Sequence, residues 1–129
     1  LHTAYRRQRQ MCIRDSDYIA RYIPANSYTY NWHDFNDLIC VILKTIIEQG
    51  KGIEINTAGL KYGMPEPNPC LDIVKMYHDL GGEIITVGSD AHEVKFFAYR
   101  FDVVADMLKN AGFNYYTIFN ERKPEFIRL

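Results

Sequence analysis

The amino-acid sequence predicts an α/β protein in which parallel strands alternate with helices. Three observations carry this. From residue 17 onward, segments with an apolar period of about 3.6 residues alternate with short apolar runs. Residues 84–87 form a near-continuous apolar run, the pattern of a strand buried on both faces. Glycines stand where the helices should stop, at Gly50, at Gly81-Gly82 and at Gly112.

Taken in order, Phe35, Leu38, Ile39, Ile42 and Ile46 fall on one helical face. Residues 52–56 read as a short strand with Ile53 and Ile55 apolar, and residues 57–67 as a loop holding Gly59, Gly63 and two prolines. Asn68 reads as a helix N-cap with Pro69 at the first helical position. Leu71, Val74 and Tyr77, with His78, form the buried stripe of that helix. The strand 84–87 follows, then a helix marked by Val104, Met107, Leu108 and Ala111, then a strand over 115–119. In parallel sheets of this kind ligands sit beyond the C-terminal ends of the strands. That directs attention to the residues just after Ile55, Val87 and Ile118.

Residues 1–16 do not share this pattern. They carry Arg6, Arg7, Arg9 and Arg14 and show no clean period. One reading is a basic arm. The other is that the segment is non-native or disordered, because Arg9-Gln10-Met11-Cys12-Ile13-Arg14-Asp15-Ser16 looks like translated sequencing-adapter sequence joined to a truncated gene. The second reading is favoured here, so 1–16 is set apart from a folded region 17–129.

Composition narrows the classes. A net charge of −1 offers no bulk field for nucleic acid or a membrane surface. No apolar run reaches the roughly 18 residues of a membrane span, and no secretory signal is readable at the N-terminus. Cys12, Cys40 and Cys70 are odd in number and far apart, which is neither a disulfide framework nor a zinc knuckle. A reducing cytoplasm is the expectation.

Two segments carry chemistry. Gly88-Ser89-Asp90-Ala91-His92 follows the apolar strand directly. In an extended segment Asp90 and His92 would point to the same side, so a carboxylate oxygen and an imidazole nitrogen would converge on zinc, manganese or iron. The alternative is a helix start, with Ser89 or Asp90 as N-cap and His92 solvated. In the second segment, Glu54 lies inside a strand and Asn56 at its end, on the same side. If that side is interior, Glu54 would orient a ligand and Asn56 would stand beside it or meet substrate. Otherwise Glu54 is an ordinary outward-facing glutamate. Lys61 would hold a phosphate as a point charge, or be merely solvated. His33 and His78 read as packing or surface residues.

The combination GIEINTAGL, an Asn-Pro-initiated helix and IITVGSDAH resembles the C-terminal half of histidinol-phosphatases of the PHP (polymerase and histidinol phosphatase) family. The tail Asn120-Glu121-Arg122-Lys123-Pro124-Glu125-Phe126-Ile127 is similar to the end of those enzymes, and Asp17-Tyr18-Ile19-Ala20-Arg21-Tyr22 to their GHxDyIxRY segment. The resemblance covers roughly 17–129. It implies the C-terminal part of a distorted seven-stranded (β/α) barrel and a cluster of two or three divalent metal ions. It implies Asp90 and His92 as metal ligands and Arg21 as a contact to the substrate phosphate. Lys61 stands where these enzymes commonly have arginine. The implied substrate is L-histidinol phosphate, hydrolysed in histidine biosynthesis, with no nucleic-acid or membrane partner. The family's opening HxH motif, its central histidine and glutamate ligands, and the Gly-His before Asp17 are absent, Asp15-Ser16 standing in that last place. The chain by itself is therefore expected to be inactive. Two alternatives stay open: a PHP phosphoesterase of another substrate, such as a nucleotide, and a non-catalytic α/β domain.

Overall fold

The computed structural model describes Cys12–Ile13 and residues 31–129. Its elements are β1 (Cys12–Ile13), α1 (Asn36–Glu48), β2 (Gly52–Asn56), α2 (Ala58–Lys61), α3 (Leu71–Asp79), β3 (Ile85–Gly88), α4 (Phe101–Asn110), β4 (Tyr115–Asn120) and β5 (Lys123–Arg128). Strands β1, β2 and β3 form a parallel sheet in that order. β1 lies inside the segment set apart in the sequence: Cys12 and Ile13 pair with Gly52 and Ile53. Those two residues of the segment therefore lie in the sheet, and its other residues lie outside the described ones.

The core forms on one face of the sheet. Side chains alternate across a strand, and Ile53, Ile55 and Ile85 are fully buried on the face covered by helices. Against them pack Leu43 and Ile46 of α1, Ile73, Val74 and Tyr77 of α3, and Val104, Met107 and Leu108 of α4. Tyr77 has no exposed surface and its hydroxyl donates to the Ile84 carbonyl at 2.9 Å. The chain turns back directly beneath that ring. A Cβ at Gly82 would lie 2.3 Å from the Tyr77 ring, so only glycine fits there.

Three expectations are corrected. The stripe foreseen for α1 is only partly the one it buries: Ile46 is buried and Ile39 packs against the core as foreseen, but Phe35, Leu38 and Ile42 are exposed, and Leu43 and Ile47 join the core in their place. The helix is apolar around most of its circumference, so period alone leaves its rotation open. Second, α3 starts at Leu71 with Cys70 in the cap position, not at Pro69. Asn68 instead pairs its backbone with Asn56 in an isolated antiparallel bridge, ahead of a cis Asn68–Pro69 peptide. Third, residues 58–61 are a single helical turn rather than loop.

The sequence reading ended on one more strand, whereas the structure shows two. β4 and β5 form an antiparallel hairpin in register from Tyr115–Arg128 to Asn120–Lys123. The two-residue turn places Glu121 at φ 48° and Arg122 at φ 66°. Both are left-handed, as a type I′ turn requires, yet neither residue is one that this turn favours. Replacing Glu121-Arg122 by Asn-Gly should stabilise the chain by about 1 kcal/mol. The readout is a higher urea midpoint with unchanged slope; a lower midpoint would contradict the turn assignment. Among the described residues no helix is long and apolar enough to cross a membrane.

Candidate metal and phosphate site

The register of β2 against β3 pairs Glu54 with Thr86 and Asn56 with Gly88. These four residues share the face opposite the helix-covered one, because Ile53, Ile55 and Ile85 occupy the other. The sheet is therefore apolar toward the helices and polar on its far side. Glu54 reaches along that polar face: a Cβ on Gly88 would meet its Oε1 at 2.8 Å. Gly88 thus leaves room for a half-buried carboxylate at the mouth of β3.

Beyond Gly88 the chain leaves the sheet. Ser89 is buried, Asp90 takes a left-handed conformation with φ 45°, and His92 stands at the surface with its side chain 88% exposed. Asp90 Oδ1 and His92 Nε2 lie 3.8 Å apart. The pair converges as expected, though not by the expected route, since the segment is turned at Asp90 rather than extended. Metal bonds to carboxylate oxygen and imidazole nitrogen are about 2.0–2.2 Å long. The observed gap is smaller than two such bonds, so one ion can touch both atoms. Of the helix-start alternative, the solvated His92 is observed, but no helix starts at Ser89 or Asp90. The next helical residues are a 3-10 turn, Val94–Phe96, with Glu93 in the cap position and no side-chain cap bond.

Lys61 enters from α2. Its Nζ donates to the Asp90 carbonyl at 3.2 Å and to the Ser89 carbonyl at 3.4 Å. It also lies 5.0 Å from the centre of the Phe96 ring, within cation–π range. One turn earlier, the Thr57 amide donates to the Gly88 carbonyl at 2.8 Å and the Thr57 hydroxyl reaches the same oxygen at 3.4 Å. Lys61 is thus beside the site but engaged with backbone, not simply solvated.

The structure distributes the expected residues unevenly. Asp90, His92 and Lys61 come together, with Glu54 on the adjoining polar face. Asn56, expected beside Glu54 or at the substrate, shares that polar face, is 2% exposed, and accepts on its Oδ1 a hydrogen bond from the Ala58 amide at 2.8 Å, at the start of α2. Arg21 lies outside the described residues. His33 stacks on Trp32 and His78 meets Phe113 edge-on, the packing roles expected of them. Thr57 and Phe96 were not singled out by sequence reasoning. Their partners lie across the fold and no local period marks them. Among the described residues no group of three His, Cys, Asp or Glu is gathered to hold a metal. A groove of about 550 Å³ lined by His78, Glu83, Asn114 and Phe126 opens at the other end, where β3 and β4 begin.

These features define a class: a parallel α/β sheet with a carboxylate–imidazole pair at the C-terminal end of a strand. Comparisons with known proteins are more specific. No family model matches the chain. It is 44% identical over 103 residues to a protein of Thermotoga maritima named a probable histidinol-phosphatase, covering 79% of this chain and 41% of that one. It is 32% identical over 96 residues to a probable histidinol-phosphatase of Clostridium acetobutylicum, covering 74% of this chain and 37% of the relative. The fold is shared with the crystal structure of histidinol phosphate phosphatase from Lactococcus lactis, complexed with zinc, L-histidinol and phosphate. That match has a TM-score of 0.64 at 23% identity, over 84% of this chain and 41% of the other. The chain is thus a relative of the histidinol-phosphatases, and spans about two fifths of the length of those it matches.

Proposed function

We propose that this chain is the C-terminal part of a metal-dependent phosphomonoesterase whose substrate is L-histidinol phosphate. The observation that carries the proposal is the convergence of the Asp90 carboxylate and the His92 imidazole at the end of β3. It is supported by the histidinol-phosphatase relatives and by the solved neighbour that holds zinc, L-histidinol and phosphate. In this reading the sheet is an arc of the distorted seven-stranded barrel, with the polar face of Glu54 and Thr86 as its interior and 17–129 as the native region. Cys40 and Cys70 form no disulfide, which fits a reducing cytoplasm.

Asp90 and His92 would hold zinc, manganese or iron, the ions that suit a mixed oxygen and nitrogen donor set. When bound, a divalent cluster supplies an acidified water and polarises the phosphoryl oxygens. Glu54, half-buried on the same polar face, would orient a neighbouring ligand. Lys61 and Arg21 would bring positive charge toward the substrate phosphate and offset the charge that develops on its oxygens.

The test is made in the full-length enzyme with Asp90→Asn and His92→Asn, assayed on L-histidinol phosphate and on a nucleoside monophosphate. Each variant should lower kcat/KM on L-histidinol phosphate by more than the roughly 100-fold that loss of an outer-shell partner costs. Bound zinc should fall in parallel. Full activity in both variants removes the pair from the site, and preference for the nucleotide moves the substrate assignment.

A further inference from the structure

Building on that reading of the Asp90–His92 pair, we infer that Lys61 is a positioning residue: its ammonium latches the loop that presents Asp90 and His92. Three successive carbonyl oxygens of this loop are captured by one helical turn. Thr57 takes the oxygen of Gly88, and Lys61 takes those of Ser89 and Asp90. The Asp90 backbone sits at φ 45°, a conformation uncommon for residues other than glycine, which aspartate adopts more readily than most. The ammonium bonded to its carbonyl is one hold that the structure provides. Phe96 closes the other end of the loop by offering its ring to the same ammonium at 5.0 Å. One cation thereby ties the end of α2, the carbonyls after β3 and the turn Val94–Phe96 together.

The chemistry suits lysine. An ammonium carries three donors on a flexible stem and bonds two carbonyls that face different directions. Bonds from a charged donor are roughly twice as strong as neutral ones. Two of its three donors bond the carbonyls of Ser89 and Asp90, which leaves the third for a phosphate. Lys61 therefore acts on the site through Asp90, whatever charge it also lends to a bound phosphate.

The test uses the full 129-residue chain and Mn²⁺ as the probe. NMR relaxation reads the rigidity of the 89–91 amides, and paramagnetic broadening reads where Mn²⁺ sits. In the unaltered chain those amides should be ordered and the His92 ring signals should broaden first. In Lys61→Met the order parameters of 89–91 should fall below about 0.6, the range of flexible backbone. The Mn²⁺ needed to broaden His92 by half should rise about tenfold, the loss expected for charged hydrogen bonds. Lys61→Arg, which keeps charge and donors, should restore both, and Lys61→Gln should fall between. Unchanged signals from Ile53 and Ile85 report an intact fold. Unaltered order at 89–91 in the Met and Gln variants overturns the latch, as does an Arg variant no better than Met. Failure of Mn²⁺ to broaden His92 in the unaltered chain would show that the pair holds no ion by itself, and the relaxation measurement would still decide the latch.

Discussion

Expressed by itself, the 129-residue chain should hydrolyse L-histidinol phosphate no faster than buffer, and should leave gel filtration with far less than one equivalent of zinc. Catalysis by a metal needs ligands that fix its geometry and leave a position open for water or substrate. Asp90 and His92 are two such groups, and no third His, Cys, Asp or Glu is gathered with them among the described residues. An ion held by one carboxylate and an imidazole that is 88% exposed exchanges freely with solvent. The effect is large because the whole acceleration is at stake, and enzymes typically supply about 10⁶-fold or more. The full-length enzyme assayed beside it should show turnover and bound metal. Stoichiometric zinc and comparable turnover in the short chain would show that its ligand set is complete and has been misassigned.

The largest loss of stability should follow Tyr77→Ala. The side chain is fully buried, packs near Phe113 with ring centres 6.4 Å apart, and fills the space above Gly82. Removing a buried aromatic costs about 3–5 kcal/mol, from lost transfer energy and from the cavity left behind. Here the Ile84 carbonyl also loses its 2.9 Å bond from the hydroxyl, just where β3 begins. A domain is stable by only about 5–15 kcal/mol in total, so much of the margin goes. Urea unfolding should show the loss as a lower midpoint. Tyr77→Phe separates the two causes, since it deletes the bond alone and should cost about 1 kcal/mol. A midpoint for Tyr77→Ala within error of the unaltered chain would mean that the helix-covered face is not the core.

Much of this was legible in the sequence, for physical reasons that differ by element. Strand β2 was read with its observed bounds, because Ile53 and Ile55 alternate with polar residues between clear glycine and loop signals. β3 and β4 were each placed to within a residue. The Asp90–His92 pairing was legible because it is local. The rotation of α1 was not, because Leu38, Val41 and Ile42 are as apolar as Leu43 and Ile46, and only the sheet selects among them. Hairpin β4–β5 was missed for want of a turn signal: Glu121 and Arg122 carry no glycine or asparagine to announce a left-handed turn. The grip of Thr57 and Lys61 on residues 88–90 joins positions about thirty apart in sequence, 28 to 31 residues in the recorded bonds. No periodicity registers such a contact. The bond from the Ala58 amide to Asn56 was not legible either, since a strand-end asparagine looks the same whether it faces a ligand or caps the next turn.

The return of β5 along β4 also decides where a probe can be attached. The Leu129 amide donates to the Asn114 carbonyl at 3.0 Å, so the last residue lies beside the start of β4. That is the end of the sheet where the groove of His78 and Glu83 opens, and the loop of Asp90 and His92 lies past the opposite end of β3. An affinity tag, fluorophore or surface tether joined after Leu129 therefore leaves from the side away from the metal pair. A polyhistidine tag there would still compete for zinc from solution, so a tag without imidazoles is the appropriate choice for every metal measurement on this chain.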